Sequence, residues 1–232
     1  MQFQKLSAPS LKDLFITELE NKILSGELQV GEKLPSEREL AASMQVSRAV
    51  VNAGIAEMEQ KGFLVVKPRI GTFVEDYRKN GTLETLVSIM KYNGGNLAKE
   101  EVKSVLELRI VLVNLATSLC IDNASDEEIY ALSDYLAAIQ NSANNEELIE
   151  NTFSLYHEIA FISKNVLLPL FFTSFKDLVC RLWLRYILNY GASALIENDT
   201  ALVNFLLARD KEGVTAHVTD TTMEAIIGNR KI

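Results

Sequence analysis

Between Lys33 and Phe73 six basic side chains (Lys33, Arg38, Arg48, Lys61, Lys67, Arg69) stand against four acidic ones, in a chain whose formal net charge is −8. Contact with phosphates requires a local cationic excess of this kind, although the whole-chain charge points the other way. Arg48 directly follows Ser47, a helix-capping residue type, and so falls in the first turn of a helix. Presented there to a major groove, a guanidinium fork matches O6 and N7 of guanine, and the carboxamide of Asn52, four residues on, matches adenine. A second group of chemistry-bearing residues lies further along. Arg109 interrupts an apolar helical pattern of Val102, Val105, Leu106, Leu108, Ile110 and Leu112, as an inward clamp for an anionic ligand or as a buried ion-pair partner. Arg181, Trp183, Arg185, Tyr186 and Tyr190 make a basic-aromatic cluster, the arginines at i,i+4, that suits a ligand site or a dimer or domain interface. Of the two histidines, His157 reads as a ligand hydrogen-bonder or a satisfied core residue, and His217 as a surface residue. The chain has no GxSxG elbow, P-loop, GxGxxG after a strand or HExxH, so an enzyme is not expected.

The elements that position these residues follow from capping and periodicity. Ser10 to Leu24 reads as a helix opened by Ser10 and Asp13 and closed by Gly26; Ser36 and Glu39 form a capping box for a second, ending near Met44; Ser47 caps a third that runs to Gly62. Phe63–Val66 and Thr72–Val74 are β-type runs around the tip Lys67-Pro-Arg-Ile-Gly71. Three helices and a hairpin make a winged helix-turn-helix. Glu75 to Gly81 is polar and reads as linker, with domain boundaries at 1–76, 77–81 and 82–232. Helices are predicted near 82–91, 99–122, 126–142, 146–163, 166–189, 199–210 and 211–228, with breaks at Asn93-Gly-Gly-Asn96, Asn144-Asn145 and Asn189-Tyr-Gly191. The predicted fold is mainly α: a winged helix-turn-helix followed by an antiparallel bundle of six to seven helices.

At 232 residues and 48% hydrophobic the chain can build a substantial core, and its mean hydropathy is +0.08. No stretch approaches a bilayer span of uninterrupted apolar residues, and the run Val166–Phe172 is broken by Pro169, so no membrane partner is expected. Met1 to Ser10 lacks the pattern of an export signal, and Cys120 and Cys180 have no CxxC spacing, which together suggest a cytoplasmic protein with free thiols. The acidic surplus belongs to the second part: residues 1–78 hold ten Lys/Arg and eleven Asp/Glu, residues 79–232 thirteen and twenty.

The stretch Ile23-Leu-Ser-Gly26, Gly31-Glu-Lys-Leu-Pro-Ser-Glu-Arg-Glu-Leu-Ala41, Val46-Ser-Arg48, Gly62-Phe63 and Gly71-Thr-Phe-Val74 resembles the GntR family of bacterial transcription regulators. The helical remainder, with Thr82–Leu86, Leu106–Arg109 and Tyr156–Asn165, is similar to the FadR-like branch. This resemblance implies a homodimer on a near-palindromic double-stranded DNA operator, with affinity set by a small molecule in the helical domain and transmitted through residues 75–81. It implies that Arg38 and Ser47 approach phosphates or bases beside Arg48, and that Lys67 and Arg69 reach the backbone or minor groove. Two departures stand out. Asn52 occupies a position where many members carry Arg, and Gly54 one where Ala is usual, at a helix-propensity cost of about 1 kcal/mol for which the sequence offers no reason. Many members hold a divalent metal with one Asp and three His. Here Phe153 stands in the Asp position, the second His position near Thr200–Leu202 and the third near Met223 are empty of His, and only His157 remains, so no metal or other cofactor is expected. Candidate effector contacts are Arg109, Phe153, His157, Arg181, Trp183, Arg185 and Tyr186. The effector implied is fatty acyl-CoA, suited by the apolar Phe153, or alternatively a sugar acid or other small organic acid.

Overall fold

The computed structural model describes residues 9–92 and 99–232. The predicted break at Asn93–Asn96 lies outside them. The chain forms two compact units, Met1–Asn96 and Leu97–Ile232.

In the first unit α1 (Leu11–Leu24), α2 (Glu37–Ser43) and α3 (Arg48–Gln60) pack around Phe15, Leu19, Leu40, Val51, Ile55 and Met58. Each start is set locally. The Ser10–Asp13 and Ser36–Glu39 capping boxes are both closed, and Ser47 Oγ accepts the Val50 amide at 3.3 Å. Strands β1 (Leu64–Lys67) and β2 (Gly71–Val74) pair antiparallel with Leu64 opposite Val74 and Lys67 opposite Gly71, and Lys33 bridges to Phe73. Phe63, Leu64 and Val74 anchor this wing in the helical core. Within the predicted linker, Tyr77–Asn80 forms a one-turn helix, α4, capped by Asp76. Helix α5 (Leu83–Lys91) was grouped by sequence with the bundle, but it is held in the first unit: Ser88 Oγ donates to Glu20 Oε1 at 2.8 Å, and Thr85 Oγ1 to the carbonyl of Lys61.

Seven helices among the described residues make the second unit: α6 (Lys99–Asn123), α7 (Asp126–Gln140), α8 (Asn145–Ile162), α9 (Leu168–Ser174), α10 (Lys176–Tyr190), α11 (Ala192–Leu207) and α12 (Lys211–Ile226). Their core is formed by Cys120, Leu132, Ile139, Leu155, Ile159, Leu202, Leu206 and Val214. Two predicted spans need correction. The helix read at 166–189 is two helices that share Phe175 as cap, with φ −97° and ψ 2°; the apolar spacing of Phe171, Phe172, Phe175 and Leu178 runs through the junction and hides it from pattern reading. The helix read from 199 begins at Ala192, directly after Gly191, whose φ of +86° turns the chain. By length and composition α6 is apolar enough to cross a bilayer, but Glu107 and Arg109 interrupt it and Val102, Leu106, Val113, Ala116 and Cys120 are buried, with α12 and α8 packed against the helix.

Candidate DNA-reading face and effector cavity

The tight turn between α2 and α3 is made by Gln45, whose φ is +53°, and Val46, whose amide donates to the Ala41 carbonyl at 3.1 Å. It leaves the first two turns of α3 in solvent: Ser47, Arg48, Ala49, Asn52 and Ala53 are exposed, while Val51, Gly54 and Ile55 face inward. Arg48 and Asn52 thus share one outer face, flanked by small residues that permit close approach of a groove wall. Arg48 Nη2 lies 3.9 Å from Glu37 Oε2, a loose, solvent-exposed pair between α3 and α2. Glu39 accepts the Ser36 amide at 2.8 Å, and the Ser36 hydrogen bonds hold its carboxyl below the usual range, so it serves the cap. Arg38 is exposed on α2. Lys61 pairs with Glu20 at 3.1 Å and with Glu57 at 3.4 Å, which removes it from the cationic set. On the wing, Lys67 Nζ sits 4.8 Å above the Phe73 ring, and Arg69 occupies the exposed tip with φ +65°.

In the second unit a cavity of about 690 Å³, counted with the solvent at its mouth, opens between α6, α8, α10, α11 and α12. Its walls are apolar, from Val105, Leu106, Val179, Leu182, Leu195 and Val218. Its polar end is organised around Arg109. Nη2 donates to the Tyr156 hydroxyl at 3.0 Å, Nη1 donates to Thr222 Oγ1, and the guanidinium lies 5.5 Å from the Tyr156 ring centroid. The hydroxyl partners leave the cationic charge of Arg109 available to an incoming anion. Burial raises the Tyr156 hydroxyl above its ordinary range, so it remains neutral. Trp183 packs 5.5 Å from the Tyr156 ring, and Asn198 Nδ2 donates to the Tyr186 hydroxyl at 3.3 Å. A second apolar cavity, of about 450 Å³ counted with the solvent at its mouth, lies between Phe171, Phe172, Phe175, Leu108 and Leu112 and shares Val105, Arg109 and Val179 with the first.

Of the residues singled out from sequence, Arg109, Trp183 and Tyr186 line the main cavity, whereas Phe153, His157, Arg181 and Arg185 do not. Phe153 is buried with its ring 5.8 Å from His157 and under Lys176 Nζ at 4.9 Å. Arg181 and Arg185 are exposed on the outer face of α10. His217 is the reverse case: read as a surface residue, it is half-buried, lines the cavity, and its Nε2 lies 2.9 Å from the Asn198 carbonyl oxygen. Tyr156, Asn198, Thr221 and Thr222 were not anticipated. The donor set does not suit a metal. Phe153 offers no ligand atom, and among the described residues no three His, Cys, Asp or Glu converge.

Residues 15–74 match the family of bacterial regulatory proteins called gntR, and residues 104–222 match the FCD domain. The HTH-type transcriptional regulator LutR of Bacillus subtilis (strain 168) is 27% identical over 176 residues, 75% of this chain and 71% of that protein. The fatty acid metabolism regulator protein of Shewanella pealeana is 28% identical over 165 residues, 71% of this chain and 67% of that one. The solved structure of Lar, which controls expression of the Listeria monocytogenes agr system, superposes with a TM-score of 0.59 over 96% of this chain and 98% of that one at 14% identity, a likeness of fold.

Proposed function

Because this chain belongs to the GntR family of bacterial regulatory proteins and carries an FCD domain, we propose that it binds a near-palindromic operator as a homodimer in the cytoplasm and that a small carboxylate with an apolar tail sets its operator affinity. It is a DNA-binding transcription regulator with an effector domain, and not an enzyme. A single short recognition helix reads few bases, and two related by symmetry read a palindrome.

The observation that carries the effector reading is Arg109, held by two hydroxyls at the junction of two apolar cavities. A ligand carboxylate would take the guanidinium and its hydrocarbon would fill one cavity or the other, without a metal. The ligand would act by binding one arrangement of the bundle better than another and so biasing the spacing of the winged heads. Fatty acyl-CoA is the second reading, favoured by the resemblance to a fatty acid metabolism regulator. Against it, Arg109 is the one Lys or Arg among the described residues that lines either cavity, and the phosphates of CoA call for several cations.

The test is fluorescence anisotropy of labelled DNA from upstream of the protein's own gene, at fixed salt, with octanoate, octanoyl-CoA and free CoA. A change of operator affinity with octanoate supports the proposal. A response to octanoyl-CoA alone favours the second reading, and tight DNA binding indifferent to both contradicts each.

A further inference from the structure

Asp199 of α11 is fully buried. Its Oδ2 accepts from Thr152 Oγ1 at 3.0 Å, and its Oδ1, equally buried, has no hydrogen-bond partner among the described residues. The Thr152 hydroxyl, then Arg109 of α6 and Tyr156 of α8, favour its ionised form against burial, and Tyr156 is itself hydrogen-bonded to Arg109. The other elements packed on α11 bring His217 from α12 and Tyr186 from α10, both hydrogen-bonded to Asn198, and from α7 the uncharged Gln140, bonded to Thr200. Among the described residues Arg109 is thus the one fixed positive charge shared between the cavity and this buried carboxyl.

We propose that the effector carboxylate binds with uptake of one proton from solvent at Asp199. This rests on the reading of the cavity as the effector site. An anion seated on Arg109 takes up the charge that favours ionised Asp199 and adds a second negative charge nearby, so the occupied cavity holds Asp199 as the neutral acid. The Thr152 hydroxyl can donate to the carboxylate or accept from the neutral acid. Burial pushes the Asp199 carboxyl up to about 7, which places the proton exchange within the range of cellular pH. A weak organic acid and the acidification that accompanies its entry would then act in the same direction on one regulator.

The test is isothermal calorimetry of octanoate binding to the full-length protein between about pH 6 and about pH 9, each point in two buffers of different ionisation enthalpy. In the wild type the affinity should level off below about pH 7 and weaken by up to about tenfold per unit above it, with about one proton taken up at the alkaline end. In Asp199→Asn the affinity should not depend on pH. Octanoate binding without a pH slope or proton uptake overturns the proposal and leaves the effector reading standing. A slope that persists in Asp199→Asn and disappears in His217→Gln overturns it in favour of His217. Failure of octanoate to bind at any pH overturns the effector reading and the proposal together. The two-buffer measurement on the wild type decides even if the Asn variant does not fold.

Discussion

Gly54 of α3 lies so close to the ring of Phe15 of α1 that a Cβ built on it would fall 2.3 Å from Cδ1 and 2.6 Å from Cε1. The ring is buried, and α1 and α3 pack at this point. A glycine in mid-helix, costly in propensity, is therefore the residue that admits Phe15 to the core. Gly54→Ala gains about 1 kcal/mol in helix propensity and loses about 1 to 3 kcal/mol by overpacking, so the expected net effect is destabilisation. Urea unfolding of the full chain checks this; a variant more stable than wild type would contradict the packing argument.

Arg48 and Asn52 share the exposed face of the first turns of α3. Asn52→Arg should change the preferred base at one operator position from adenine to guanine, and Arg48→Ala should relax preference at a neighbouring position at a cost of about 1 to 3 kcal/mol. Lys67→Ala on the wing should weaken binding evenly across sequences and lower the salt slope by about 1. Selection of sites from random DNA reads the first two. Identical preferred sites for wild type and Asn52→Arg would remove Asn52 from base reading.

Trp183 is the one tryptophan in the chain and lines the main cavity beside Tyr156. Its fluorescence should therefore change on titration with octanoate. Arg109→Gln should weaken that binding by about 1.5 to 3 kcal/mol, the usual worth of a hydrogen bond to a charged group. Equal octanoate affinity in the two proteins would show that the carboxylate does not use Arg109.

The raised carboxyl of Asp199 also links stability to pH without any ligand. Its value of about 7 when folded stands above the ordinary 3.8, so between these two the folded chain holds a proton that the unfolded chain has released. Its contribution to stability is fully present below about pH 4, falls as the pH rises to about 7 and is constant above. The unfolding equilibrium should shift by up to about tenfold per pH unit in that window. Asp199→Asn should lack this component, so that wild type loses stability relative to the variant between about pH 4 and about pH 7 in denaturant titrations. A difference that does not change with pH would place the Asp199 carboxyl at its ordinary value.

What could be read from sequence was what local chemistry decides. Ser10 with Asp13, Ser36 with Glu39, and Ser47 each satisfy amides within three residues, so the helix starts of the winged helix follow from short words of sequence. The cavity depends on distant partners. Asp199 sits in Glu197-Asn-Asp-Thr200, which reads as a polar surface, and is buried by Thr152, 47 residues away. His157 resembles a ligand position by its neighbours, but one residue on a helix is about a 100° turn. Tyr156 takes the inward direction, and His157 is left beside Phe153. In the same way α10 points Leu182, Trp183 and Tyr186 into the cavity and turns Arg181 and Arg185 out, which composition alone could not divide.

The central claim is that occupation of the cavity and operator binding are thermodynamically coupled, and coupling between two binding equilibria is reciprocal. The most direct measurement is a titration of Trp183 fluorescence with octanoate, performed with the full-length protein alone and again with saturating operator DNA. The expected result is a displaced midpoint in the presence of operator, by the same factor with which saturating octanoate changes operator affinity. Coincident midpoints, with octanoate bound in both titrations, would contradict the claim.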